Sequence, residues 1–358
     1  MDLLIFKKQP LVSLPSISPS RYLSLKQCSL KEIWNSSMTP LLPRHPSAYL
    51  GIIIHRMFEL AFKGEISSME DLHDAWDTEI NELEKKISDN IVEKHLVPLR
   101  TSVFNFEIRK LLAFNLIEPI LNKTFKRGGS VTRNKPEEWV RTPDGKVIGR
   151  IDLVKKNNSG TEIFDLKTKK LKGESLSIDA RDQYLLQLNL YAALFHTTHG
   201  EWPVKLTLMG IDQEKISFNV YPEKCEKLLN DAIKSLDETN ELIEAQLEPS
   251  DFATPSPVAC KYCLFRPACG QYWESRNGNG DWPIDIQGRI SNIVKLKNGF
   301  YRIVLETHSR KIAIRGLSHE RHLLLNGENE RAVFCNLSKD KQEGFYKENI
   351  FTTSYSIL

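Results

Sequence analysis

Two acids and a lysine lie close together between Gly149 and Lys170: Asp152 in "GRIDLV", and Asp165 with Lys167 in "FDLKTKK". Both segments carry the apolar alternation of strands, so Asp165 and Lys167, two residues apart, point to the same face. Inward strand positions normally hold core residues, and ionised carboxylates resist burial unless something compensates them; a bound cation is one such compensation. Two carboxylates converging from adjacent strands supply hard oxygen ligands for Mg²⁺ or Mn²⁺. Such an ion lowers the pKa of water and stabilises charge on a phosphodiester, while the lysine orients or activates the nucleophile. Taken alone, D-x-K is frequent by chance and reads as solvated strand-end charge, so the neighbouring residues carry the weight.

Downstream, "QLNLY" sets Gln187 and Tyr191 four apart, on one face of the helix that follows the acidic strands. Upstream, "GIIIHRMFE" sets His55 in an apolar helix, where an isolated histidine is ordinarily a hydrogen-bonded core residue. The six cysteines are Cys28, Cys225, Cys260, Cys263, Cys269 and Cys335, and "CKYCLFRPAC" spaces three of them as C-x2-C-x5-C. That crowding points to a metal site rather than a disulfide framework. Zinc and an iron-sulfur cluster both suit thiolates, and ligand count does not separate them.

The elements that must position these residues follow from periodicity and punctuation. A helix is predicted over Ser18 to Trp34, with Ser18 as N-cap, Pro19 in the first turn and Cys28 on its surface. "AYLGIIIHRMFELAFKG" gives an apolar helix ending near Gly64, "MEDLHDAWDTEINELEKKI" an amphipathic one, and the pattern stays helical to about Asn122. From Glu137 the period changes to strands: "EEWVRTP", "KVIGRIDLVKK" and "TEIFDLKTKK", separated by "PDG" and "NNSG". A long helix through "DARDQYLLQLNLYAALFHTTHG", strands "VKLTLMGI" and "KISFNVY", and a helix through "KCEKLLNDAIKSLDETNELIEAQL" follow. Beyond the linker "RNGNGDWP", three strands, a helical "SHERHLLLNG" and two closing strands match the order of a small OB-fold barrel.

At 358 residues the chain exceeds the roughly 250 to 300 residues at which single cores stop growing, so one main domain and a smaller one are expected. With 41% hydrophobic and 27% charged residues it reads as ordinary globular sequence, without repeats or low-complexity tracts. A net charge of +3 fits nucleic-acid binding without arguing for it. The apolar run in "MDLLIFKKQP" is too short for a signal peptide, and no stretch approaches the roughly 20 apolar residues of a membrane span, so a cytoplasmic location is expected.

In this order, "GIIIHRMFE", "GRIDLV", "FDLKTKK" and "QLNLY" resemble the RecB-like branch of the PD-(D/E)XK nucleases. That branch includes CRISPR-associated iron-sulfur exonucleases and the nuclease domains of AddB-type and eukaryotic replication helicase-nucleases. The resemblance, which covers about Leu14 to Trp273, implies an α/β fold with a restriction-endonuclease-like core, a central mixed sheet flanked by helices, over residues 1–278, with a helical insertion at about 56–130; the OB-like module at 279–358 lies outside it. The resemblance also implies that His55, Asp152 and Asp165 bind Mg²⁺ or Mn²⁺, that Lys167 is the catalytic lysine, and that Gln187 and Tyr191 contact DNA or support the site. Asp165 stands where these relatives usually carry Glu. Cys28 becomes the remote fourth thiolate beside Cys260, Cys263 and Cys269, although Ser29 follows it where a proline is usual, and a 4Fe-4S cluster is favoured over Zn²⁺. Such a cluster would staple the first helix to the end of the nuclease domain. Cys225 and Cys335 read as packing residues.

The expected function is therefore metal-dependent DNA hydrolysis, directed to single strands or ends and more exonuclease than endonuclease, in DNA repair, recombination or antiviral defence, with a helicase or another repair or defence subunit as the candidate protein partner. Phe300, Tyr301 and Arg302 are candidates for guiding a strand over the OB-like module. A non-catalytic nucleic-acid-binding or scaffold subunit is the rival reading, disfavoured because a decayed nuclease would be expected to have lost at least one of these groups. Site-specific restriction-type cleavage shares the chemistry.

Overall fold

The computed structural model describes residues 11–124, 133–171, 178–276, 281–322 and 330–357. The predicted first helix is two helices, α1 (Pro19–Gln27) and α2 (Ser29–Ser37), broken at Cys28, which takes an extended conformation with φ −165° and ψ 102°. Ser18 does stand at the N-cap, though its hydroxyl makes no capping bond. Neither Gly nor Pro marks the break. The extended geometry aims the Cys28 Sγ at Phe252 O, 3.9 Å away, and so toward the cysteine-rich segment far along the chain.

Helix α3 (Pro46–Lys63) ends on Gly64, whose left-handed φ of 75° only glycine adopts without cost. Helix α4 (Met69–Ser88) opens with a capping box between Ser68 and Asp71. The helical stretch to residue 124 is then interrupted by a 3-10 turn at Lys94–Leu96 and resumes as the short α5 (Leu99–Ser102) and α6 (Phe106–Thr124).

Strands β1 (Arg133–Arg141), β2 (Ile148–Asn157), β3 (Gly160–Lys167), β4 (Lys205–Gly210) and β5 (Lys215–Asn219) form one sheet in chain order. The pairs are antiparallel except β3 with β4, whose parallel connection is carried by α7 (Ile178–His199). With α8 (Pro222–Glu244), helices α1, α2 and α7 cover one face, burying Ile151, Ile163, Leu188, Leu206 and Leu208. Helices α3 to α6 cover the other, burying Leu153, Phe164 and Leu166.

After α9 (Pro257–Lys261) and α10 (Gly270–Ser275), a second sheet of seven strands begins: β6 (Ile286–Lys295), β7 (Tyr301–Glu306), β8 (Lys311–Leu317), β9 (Arg331–Cys335), β10 (Ser338–Lys339), β11 (Phe345–Lys347) and β12 (Thr353–Ile357). The sheet curls into a half-barrel around Ile290, Ile303, Leu305, Ile314 and Phe334. Its order is β10-β11-β8-β7-β6-β9-β12, so β11 and β12, separated by residues 348–352, pair with β8 and β9 on opposite sides. The β10 and β11 segments went unrecognised because two- and three-residue strands have no period to read. Residues 318–322 of "SHERHLLLNG" are not helical, and the rest of that expected helix, 323–327, lies outside the described residues.

The curled sheet is welded to the first domain by buried polarity. Arg266 and Asp285 side chains are 2% and 0% exposed, with Nε to Oδ2 at 2.8 Å. Arg266 Nη1 also donates to the carbonyls of Cys260, Lys261 and Cys263, and Asp285 Oδ2 accepts from Tyr272 OH at 2.7 Å. Leu42 packs against Val333 and Cys335 beside this network. Among the described residues, no helix is long and apolar enough to cross a membrane.

Candidate active site and cysteine cluster

Strands β2 and β3 pair up to Leu153 and Phe164, then splay, so Asp152 and Asp165 face each other just beyond the end of the ladder. Asp152 Oδ2 closes the gap by accepting from Leu166 N at 2.6 Å. Asp165, only 4% exposed, has Oδ2 2.6 Å from Lys167 Nζ, as the two-residue strand spacing requires. Helix α7 supplies the next layer. Gln187 Nε2 donates to Asp165 Oδ1 at 3.2 Å and to Tyr191 OH at 3.4 Å, while Lys167 Nζ donates to Gln187 Oε1 at 3.1 Å. The lysine's ammonium also lies 4.4 Å from the Tyr184 ring centroid. Gly149 lets Tyr191 in: a Cβ there would stand 2.7 Å from the tyrosine ring.

From the opposite face, α3 presents His55, whose Nδ1 is 3.2 Å from Asp152 Oδ1. The structure thus brings together all six residues expected at this site. It also adds one that the sequence reading omitted. Glu137 on β1 has φ 53°, a conformation costly for a non-glycine residue. His55, Glu137 and Asp152 each place a ligand atom within 4.8 Å of the others. The only hint in the sequence was the adjacent acids in "PEEW"; which of them turns inward depends on that backbone kink.

The electrostatics show a cluster short of positive charge. Burial pushes the Asp165 carboxyl up to about 6, with Lys167 opposing and Asp152 adding to the rise. Burial and the Asp152 charge push Glu137 up to about 7, against the pull of Arg150, which pairs with it. At His55, burial works to lower the pKa, but Asp152, Asp165 and Glu137 together raise it. The two carboxylates and the imidazole of His55, Glu137 and Asp152, with the Asp165 carboxylate acting on them, fit a hard divalent cation, which would relieve the mutual repulsion.

Cys28, Cys260, Cys263 and Cys269 line one cavity, closed by Trp34, Arg266 and Tyr272. Burial pushes the Cys263 thiol up to about 11 and the Cys269 thiol up to about 12, and Cys28 adds to both rises. Four thiols lining one cavity suit a bound metal group that takes them as thiolates and offsets the cost of ionising them there. Cys225 is buried in the main core with Sγ 3.7 Å from Asn189 Oδ1, and Cys335 packs against Leu42. Neither lines the cavity.

Of the strand-guiding candidates, Phe300 is 42% exposed. Tyr301 packs on the half-barrel core and lies tilted against His319, with centroids 5.6 Å apart. Arg302 Nε is buried without a hydrogen bond.

The family model of the PD-(D/E)XK nuclease superfamily matches residues 16–270, a span that holds every residue of both sites. The chain belongs to the PD-(D/E)XK nuclease superfamily. Membership carries with it metal-dependent nuclease activity, in keeping with the His55, Glu137 and Asp152 group; nucleases of this superfamily use Mg²⁺ or Mn²⁺. Among solved structures, this superfamily member is similar to the crystal structure of SSO0001, at 17% identity, covering 46% of this chain and 77% of that one with a TM-score of 0.22. No curated protein matches the chain in sequence.

Proposed function

We propose that this nuclease is a RecB-like, iron-sulfur deoxyribonuclease that removes nucleotides from single strands or ends, in DNA repair or antiviral defence, working alone or with a helicase. The observation that carries the reading is the connected set Asp152, Asp165, Lys167, Gln187 and Tyr191, joined to His55 and Glu137 across the splayed ends of β2 and β3.

In this reading His55, Asp152 and Asp165 hold the divalent ion, with Glu137 as a further ligand. When bound, that ion supplies positive charge beside the scissile phosphodiester and acidifies water. Asp165 and Gln187 fix the Lys167 ammonium at the mouth of the carboxylate cluster, where it orients the nucleophile and steadies charge on the phosphate. Tyr191 braces Gln187.

Cys28, Cys260, Cys263 and Cys269 hold a 4Fe-4S cluster in this reading, with Zn²⁺ as the alternative, stapling α1 and α2 to the segment before the second sheet. The parallel pairing of β8 with β11 and the pairing of β12 with β9 support an OB-like barrel over 279–358, beside a nuclease domain over 1–278. Product analysis on end-labelled single- and double-stranded DNA with Mg²⁺ or Mn²⁺ tests the proposal. Short products accumulating from one end support it. Discrete internal cuts would refute the exonuclease mode, and intact DNA would leave the scaffold reading.

A further inference from the structure

Next to the carboxylate cluster, Arg109 reaches the segment that carries Lys169, with His45 at the start of the neighbouring α3. Arg109 on α6 is half-buried, and its Nη2 donates to Thr168 O at 3.4 Å. Among the described residues no carboxylate pairs with it, whereas Arg56, Arg266 and Arg321 each have an acidic partner. Desolvation without a counter-charge lowers the Arg109 pKa. A desolvated, unpaired guanidinium is a cost that a bound anion would offset.

Lys169 is exposed two residues past Lys167, on the segment that Arg109 touches. His45 stands at the N-cap of α3, and its Nδ1 accepts from Ser47 N at 3.2 Å. That bond fixes the tautomer and leaves Nε2–H as a donor. Burial, then Arg109, then Lys169 lower the His45 pKa, which favours the neutral ring. Gly51 draws α3 against this segment, since a Cβ there would lie 3.5 Å from Thr168 Oγ1. The His45 ring also stacks on Phe351, in the turn between β11 and β12, with centroids 5.1 Å apart.

We propose that Arg109, Lys169 and His45 form a phosphate-binding subsite for a nucleic-acid strand, holding a phosphodiester adjacent to the one presented to Asp152 and Asp165. The inference rests on the nuclease reading. A guanidinium fork, a mobile ammonium and a neutral N–H donor suit successive phosphate oxygens, and they read no base.

Fluorescence anisotropy of a labelled oligothymidylate, with Ca²⁺ replacing Mg²⁺, tests this over a range of salt concentrations. Arg109→Gln and Lys169→Gln should each weaken binding and reduce the slope of log affinity against log salt by about 0.7, the value for one phosphate contact on a single strand. In Mg²⁺, both should raise KM with kcat nearly unchanged, because the contact is made equally before and during reaction. Lys234→Gln, on α8 behind the sheet, should change neither. Lys169 is exposed, so its variant tests the idea even if Arg109→Gln destabilises the fold. Wild-type affinity and slope in Lys169→Gln and in a folded Arg109→Gln would overturn the subsite alone. Failure of the wild-type protein to bind the oligonucleotide would overturn the nuclease reading with it.

Discussion

Replacing Asp285 by asparagine removes one negative charge from the junction of the two sheets while nearly preserving shape. Among the described residues Arg266 then loses its one carboxylate partner, since its other acceptors there are the Cys260, Lys261 and Cys263 carbonyls and Asn336 Oδ1. With both side chains essentially inaccessible, at 2% and 0% exposed, the cost is that of a buried charge left unpaired, about 3 to 5 kcal/mol. That exceeds the roughly 1 kcal/mol of one neutral hydrogen bond. Burial pushes the Asp285 carboxyl up, but Arg266 and the Asn336 and Tyr272 donors overcome it and hold the pKa below the ordinary carboxylate value of 3.8. Its stabilisation is therefore fully present above about pH 4 and disappears as pH falls through the lower folded value. Urea unfolding at neutral pH should show the Asp285→Asn midpoint more than about 1 M below wild type, and the gap should close on acidification. A difference under about 1 kcal/mol at neutral pH, or a gap that widens in acid, would refute the reasoning. Because Arg266 anchors three carbonyls of the cysteine loop, the variant should also retain less metal.

Other expectations follow from the two sites. Glu137→Gln should weaken Mn²⁺ binding at least about tenfold with the fold intact, read by titrating activity against Mn²⁺; unchanged metal dependence would remove Glu137 from the ligand set. His55→Ala should likewise shift the Mn²⁺ titration, whereas a merely packed histidine would cost stability alone. Protein purified without oxygen should be brown and hold about four irons per chain. Serine at Cys28, Cys260, Cys263 or Cys269 should bleach it, and Cys225→Ser or Cys335→Ser should not. Stoichiometric zinc with no iron would replace the cluster and keep the four-cysteine site. Gly149→Ala should cost about 1 to 3 kcal/mol and disturb Tyr191, because the new methyl would meet its ring at 2.7 Å; a wild-type melting curve would contradict this.

The residues of the candidate active site were legible because strand period and helix spacing fix which side chains share a face. Asp165 and Lys167 two apart on β3, and Gln187 and Tyr191 four apart on α7, meet as those periods demand. Glu137 was not legible, since its position depends on a positive φ that no residue type announces. The break at Cys28 escaped for a related reason. The run "SLKQCSLKE" is compatible with one helix, and the extended cysteine is set by contacts with residues more than 200 positions away. In the second sheet, the long strands announced themselves by alternation. The weld through Arg266 and Asp285 did not, because a buried ion pair between a loop and a linker leaves no periodic trace.

The central claim is that Asp152, Asp165 and Lys167 act together on a phosphodiester in the presence of a divalent ion. Single-turnover cleavage of end-labelled single-stranded DNA in Mn²⁺, comparing wild type with Asp165→Ala and Lys167→Ala, tests it most directly. Cleavage by the wild type, with at least about a hundredfold loss in both variants and unchanged melting curves, is the predicted result. Undiminished cleavage in both folded variants would contradict the account.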